Sequence, residues 1–163
     1  MNNLLKPFSS FLFVLLFISC ASDRTSSLRN AAVAVWDFDN LTPSAVQYDD
    51  LGELLSSQVI AVLQEKGDHA LVERDRLRLA LEELQLGTAE LVGESTRLKL
   101  GSISGARLMV FGAYQVIGDQ MRLDLRMVEV ETGKVVRAAQ NVSSASDISG
   151  WLAGAREAAG QLF

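Results

Sequence analysis

Residues 107–142 read RLMVFGAYQVIGDQMRLDLRMVEVETGKVVRAAQNV, and this run decides the fold. Two apolar-rich segments flank Gly118-Asp119, and a second turn, Glu131-Thr132-Gly133-Lys134, leads into a third segment. Both turns are hairpin signals, so strands are predicted over 107–117, 120–130 and 135–142. In the middle strand Met121, Leu123, Leu125 and Met127 share one face, and Arg122, Asp124 and Arg126 share the other, because successive strand side chains alternate. That strand has one covered face and one wet face. Leu108-Met109-Val110-Phe111 is apolar on both phases, as in a strand buried on both sides.

Working upstream, residues 31–38 (AAVAVWDF) form another apolar strand, closed by the turn cluster Asp39-Asn40-Leu41-Thr42-Pro43-Ser44. Leu51, Leu54, Leu55, Val59, Val62 and Leu63 recur at helical spacing, and Gly67 stops that helix. Residues 70–73 are a short strand. Asp75 is placed to cap a second helix carrying Leu77, Ala80, Leu81 and Leu84, with Gly87 at its end. A shorter helix is predicted from Glu94 or Ser95 to Leu100, followed by Gly101 and Gly105. Downstream, Asp147 caps a last helix with Ile148, Trp151, Leu152, Ala155, Ala159 and Leu162 at helical spacing. The order βαβααβββα describes a single α/β (α+β) domain over residues 31–163, a mixed sheet with helices mainly on one face.

The first twenty residues are of another kind. Residues 1–6 carry one positive charge, residues 8–18 are almost wholly apolar, and Ser19-Cys20 follows. A secretory leader has this order, with an apolar run of about 7–15 residues. A spanning helix needs about 20 apolar residues, so residues 1–19 are expected to be a signal peptide. Cys20 is the only cysteine and cannot form an internal disulfide. A lone thiol in an oxidising compartment invites pairing between molecules, which acylation prevents. Residues 21–30 (ASDRTSSLRN) are polar and aperiodic, a tether of at most about 35 Å fully extended and nearer about 17 Å as a flexible coil.

Composition narrows the function. The chain carries 15 basic and 20 acidic residues, net -5; loss of Lys6 with the leader makes it more acidic still. Such a domain repels phosphate at long range, so no nucleic-acid partner is expected. His69 is the one histidine, and a histidine without partners builds neither a zinc site nor a general base. Gly101, Gly105 and Gly112 match no phosphate-cradling loop; they suit a helix end, a turn and close backbone approach. No metal and no small-molecule cofactor are expected. Asp37 and Asp39 share one side of a strand and could be read as an acid–base pair of a cell-wall hydrolase. Structural duties compete with that reading: Asp39-Asn40 capping a turn and Asp49-Asp50 favouring a helix start through its dipole. Glu73-Arg74-Asp75-Arg76 and Arg122-Asp124-Arg126 suit solvated ion pairs or a polar docking surface.

Two resemblances refine these expectations. Phe17-Ile18-Ser19-Cys20 resembles a lipobox, the cut-and-acylate site of bacterial lipoproteins, with Phe17 where Leu, Val or Ile is usual. The resemblance implies lipid attachment at Cys20, where two or three chains at about 0.8 kcal/mol per buried methylene anchor stably. With Ala21 next, it implies the outer membrane. Val72-Glu73-Arg74, Leu77, Leu81, Leu86-Gly87, Leu100-Gly101, Gly105-Ala106 and Val110-Phe111-Gly112 resemble the curli-secretion lipoprotein (CsgG-like) family. Residues 125–133 (LRMVEVETG) are similar to that family's hairpin turn, and residues 33–40 (VAVWDFDN) resemble the related amino-terminal domain of TolB. The same landmarks are similar to those of small flagellar envelope lipoproteins. The resemblance implies a periplasm-facing, non-enzymatic domain that binds an envelope protein or assembles with copies of itself. A subunit of a secretion pore is the alternative it leaves open, although the long barrel-forming hairpins of such pores are missing here. Ligand-binding residues are unassigned.

Overall fold

The computed structural model describes residues 30–42, 50–84, 93–144 and 147–163. The predicted leader, Cys20, most of the tether, Asp49 and Gly87 lie outside them. Six strands form one mixed sheet: β1 (Ala32–Val35), β2 (Asp39–Asn40), β3 (Ala70–Leu71), β4 (Leu108–Ile117), β5 (Gln120–Glu129) and β6 (Val135–Ser143). The helices are α1 (Leu51–Lys66), α2 (Arg74–Glu83), α3 (Glu94–Ile103) and α4 (Ile148–Leu162). The strand order is β3-β1-β4-β5-β6, with β2 also pairing β4. β1 runs parallel to β3 and β4, and the β4–β5–β6 meander is antiparallel.

The alternation read from the sequence sets the two faces. Val33, Val35, Leu108, Val110, Met121, Leu123, Leu125 and Met127 share a core with α1 and α4. Ala34, Trp36, Met109, Phe111 and Val128 share a second core with α2 and α3. Sequence placed the helices mainly on one face; the two long helices do lie together, while the two ten-residue helices take the opposite side. The reason is the doubly apolar Leu108–Phe111 segment, whose two faces both need cover.

Three predicted boundaries are corrected. The strand over 31–38 divides: Trp36 still donates its N–H to the Val110 carbonyl at 3.0 Å, but the Phe38 N–H turns to Gly52 O at 3.4 Å before β2 begins. Asp75 is not the cap of α2, because Arg74 is already helical and Glu73 takes the extended cap conformation. Asp75 sits in the first turn, where its charge suits the helix dipole. Gly101 does not follow α3 but lies inside it, and it is small because the Met109 side chain occupies the space a Cβ would need. Gly105, at φ +82°, makes the turn beyond the helix.

Other signals stand as read. Gly67 closes α1 in the left-handed conformation, its N–H donating to Leu63 O. Asp147 caps α4, accepting the Gly150 N–H at 2.8 Å and the Ser149 hydroxyl at 2.9 Å. The Gly150 hydrogen bond first, then Ser149, hold its carboxyl below the ordinary aspartate value. A depressed folded pKa contributes stability above the unfolded pKa and loses it as pH falls through the folded one. Native protein is therefore expected to be slightly more stable than Asp147→Asn at neutral pH. Thermal melts of the two across the acid range should converge as the carboxyl protonates.

Candidate interaction surface

The carboxyl ends of parallel strands are where open α/β sheets hold ligands, above all where neighbouring connections leave on opposite faces. Here that point lies between β1 and β3, since α1 follows β1 on one face and α2 follows β3 on the other. The crevice is filled by Arg74. Its guanidinium pairs with Asp37 at 2.6 Å and Glu53 at 2.9 Å, and it also donates to the Ser56 hydroxyl.

Asp39, two residues on, turns to a different partner. Arg97 of α3 grips it through both nitrogens at 2.8 and 2.9 Å, and the same guanidinium lies 5.4 Å from the centroid of the Trp36 ring. The Arg97 side chain is only 11% exposed against 49% for Asp39, so the pair is anchored from its buried, cationic side. Bidentate Arg–carboxylate bonding of this kind is both strong and orienting. The acid–base pairing read for Asp37 and Asp39 is thus not assembled: each carboxylate faces its own arginine on a different helix. The turn-capping duty assigned to Asp39-Asn40 belongs to Asn40 alone, whose Oδ1 accepts the Thr42 N–H at 2.8 Å.

The remaining candidates separate as well. Asp50 flanks α1 at φ +63° without a side-chain cap bond. His69 packs near the Phe163 ring, centroids 6.0 Å apart, with no histidine, cysteine or acidic cluster able to hold a metal among the described residues. Arg74 stood in a charged run that sequence could read only as ion pairs or a docking surface, without naming its partners, and Arg97 was not singled out at all. For Arg97 a trace existed: it falls three residues before the buried Leu100, on the inward side of its helix.

What lies open is a sheet face. Beyond Phe111 and Val128, the side bearing α2 and α3 carries no further helix among the described residues. Cross-strand rows run Gln115–Arg122–Val142 and Ala113–Asp124–Gln140. Leu41 continues past β2 along β4, its N–H donating to Tyr114 O at 2.8 Å. Leu41, Ile117 and Val142 are 60%, 63% and 50% exposed, large apolar side chains at one end of that face. Between them Arg122 and Asp124 form a two-pronged pair, both bonds 2.8 Å. Arg126 reaches Glu94 at 2.7 Å and covers the Phe111 ring at 5.7 Å. Arg122-Asp124-Arg126 is therefore a solvated, ion-paired row, the first of the two readings the sequence allowed.

The family model described as curli production assembly/transport component CsgG matches residues 19–117, more than half of the chain. No curated protein sequence matches. Among solved structures, the LpoB C-terminal domain from Escherichia coli is similar at TM-score 0.60 and 16% identity, covering 70% of this chain and 82% of that one. Lipoprotein GNA1162 from Neisseria meningitidis gives 0.56 at 16% identity over 77% and 92%. A PelC dodecamer from Paraburkholderia phytofirmans gives 0.55 at 18% identity over 82% and 90%. At such identities these likenesses speak for the fold.

Proposed function

The chain belongs to the CsgG family, and from that premise we propose that it is a non-enzymatic lipoprotein of the cell envelope. In this reading residues 1–19 are removed, Cys20 carries the lipid, residues 20–30 are the tether and residues 31–163 the folded domain. The domain faces the periplasm from the outer membrane and works by binding an envelope protein or assembling with copies of itself. The observation that carries the reading is the fate of Asp37 and Asp39. The two carboxylates best placed for chemistry are bound by Arg74 and Arg97, while a broad sheet face with exposed apolar residues stays open. Acid–base catalysis needs mutually positioned groups, and these two carboxylates are held apart by different arginines; recognition needs a surface.

Supporting analogies come from the names of similar structures, one a lipoprotein and another a dodecamer. No helix among the described residues is long and apolar enough to cross a membrane, which fits attachment by lipid. Asn30 leads into the amino end of β1, opposite the end bearing Leu41 and Ile117. A short tether there would turn the open end of the domain away from its membrane.

Membrane fractionation tests the anchoring. Cys20→Ser is expected to leave a folded domain that loses acyl label and leaves the membrane fraction. A variant that remains fully membrane-bound would overturn it. Pore formation is the competing outcome, and it would show as detergent-resistant rings with conductance in planar bilayers. The meander argues against it, because one face of β4 and β5 packs along its length into the core with α1 and α4, as the sheet of a folded domain does.

A further inference from the structure

We propose that the open sheet face is a self-complementary surface by which two copies of this chain pair across a two-fold axis. The inference rests on the assembly reading above and names its partner as a second copy.

Charge is the first argument. The chain as a whole is acidic, net -5, so two copies repel over most of their surface. On the open face the fixed charges are Arg122, Asp124, Arg126, Glu94, Asp39 and Arg97, three of each sign and all ion-paired. The patch is locally neutral, so copies approach there with least repulsion. A neutral, alternating patch also lacks the excess of one sign that would draw an anionic surface or polymer.

Symmetry is the second argument. Isologous contacts require each patch to complement itself. Arg122 and Asp124 stand two residues apart on one face of β5. A two-fold axis crossing the strands between their rows lays Arg122 of one copy against Asp124 of the other, twice. The Gln115–Arg122–Val142 row then meets the Ala113–Asp124–Gln140 row, small residues opposite larger ones. The exposed apolar side chains Ile117 and Val142 become covered, as interface residues of their kind are.

The test uses the full lipoprotein. A photo-crosslinker in place of Gln115 in intact cells should give an adduct of twice the mass, and the purified protein in detergent should weigh as a dimer. Arg122→Asp sets like charges against each other at both symmetric positions and should weaken association about tenfold or more. The exchange Arg122→Asp with Asp124→Arg restores complementarity and should restore the dimer, which a general loss of folding would not do. A monomer at all concentrations, or a dimer indifferent to the single reversal, overturns the proposal. An adduct to a different envelope protein with the chain itself monomeric also overturns it, while leaving the envelope-binding reading intact.

Discussion

Gly52→Ala is expected to destabilise the domain by about 2 kcal/mol, read as a lower urea midpoint with an unchanged slope. The sign is what makes the prediction sharp. Gly52 is the second residue of α1, and helix propensity alone favours alanine over glycine by about 1 kcal/mol. Tertiary contact reverses this. A Cβ at Gly52 would run into the Phe38 carbonyl oxygen, a backbone atom that cannot rotate aside. Phe38 is held from its other side too, since its ring lies where a Cβ of Gly112 would stand, 2.5–2.7 Å from three ring carbons. Its backbone rests on one glycine and its ring on another. Gly112→Ala should therefore be costly as well, and the double variant should cost less than the two singles together, because both shift the same residue. A Gly52→Ala protein more stable than the parent would show that Phe38 is not seated in this clamp. The carboxylates on either side of Phe38, Asp37 and Asp39, owe their separate directions to that seating.

Trp151→Ala is expected to have the largest effect, a loss of about 3–5 kcal/mol from a domain whose whole stability is about 5–15 kcal/mol. Trp151 is 3% exposed and belongs to the core shared by α1, α4 and the meander. The cavity cannot close by moving α4 inward. Gly154, Ala155, Ala158 and Ala159 are all buried in that helix, and a Cβ at Gly154 would already crowd the Asn141 and Ser143 side chains of β6. Helix and strand are in contact at small residues, so the void left by the indole persists. Denaturant unfolding followed by circular dichroism, with protease susceptibility at 37 °C, checks the expectation. Trp151→Phe, which refills most of the space, should retain much of the lost stability. If Trp151→Ala melts within a few degrees of the parent, the role assigned to α4 is wrong.

Much of the architecture was legible because local rules and tertiary demands agreed. Met121, Leu123, Leu125 and Met127 alternate with charged residues and are all buried in the structure. Gly67 and Asp147 end and begin their helices by conformation and hydrogen bonding local to those residues. Where sequence misplaced a boundary, a distant contact had outweighed a local preference. Gly101 reads as a helix stop, yet it lies within the helix, and its lack of a Cβ serves the packing of Met109 instead. The apolar run over 31–38 reads as one strand, yet Phe38 leaves the ladder for its seat between Gly52 and Gly112. The candidate site was less legible still, since Asp37 and Asp39 look like a pair until their partners are known.

What the sequence determined by itself was whatever depends on near neighbours along the chain. That covers the element order, the alternating faces of the meander, two helix caps and the expectation of an exported, lipid-bearing chain. Only the tertiary structure decided which side chains meet. Arg74 lies thirty-seven positions from Asp37, and Arg97 fifty-eight from Asp39, separations over which periodicity and turn chemistry carry no information. The same is true of the open face. Its rows are assembled from three strands and a loop, and their neutrality appears only when Arg126 meets Glu94 across the fold. Burial can be anticipated from pattern; complementarity between remote charges is settled by packing.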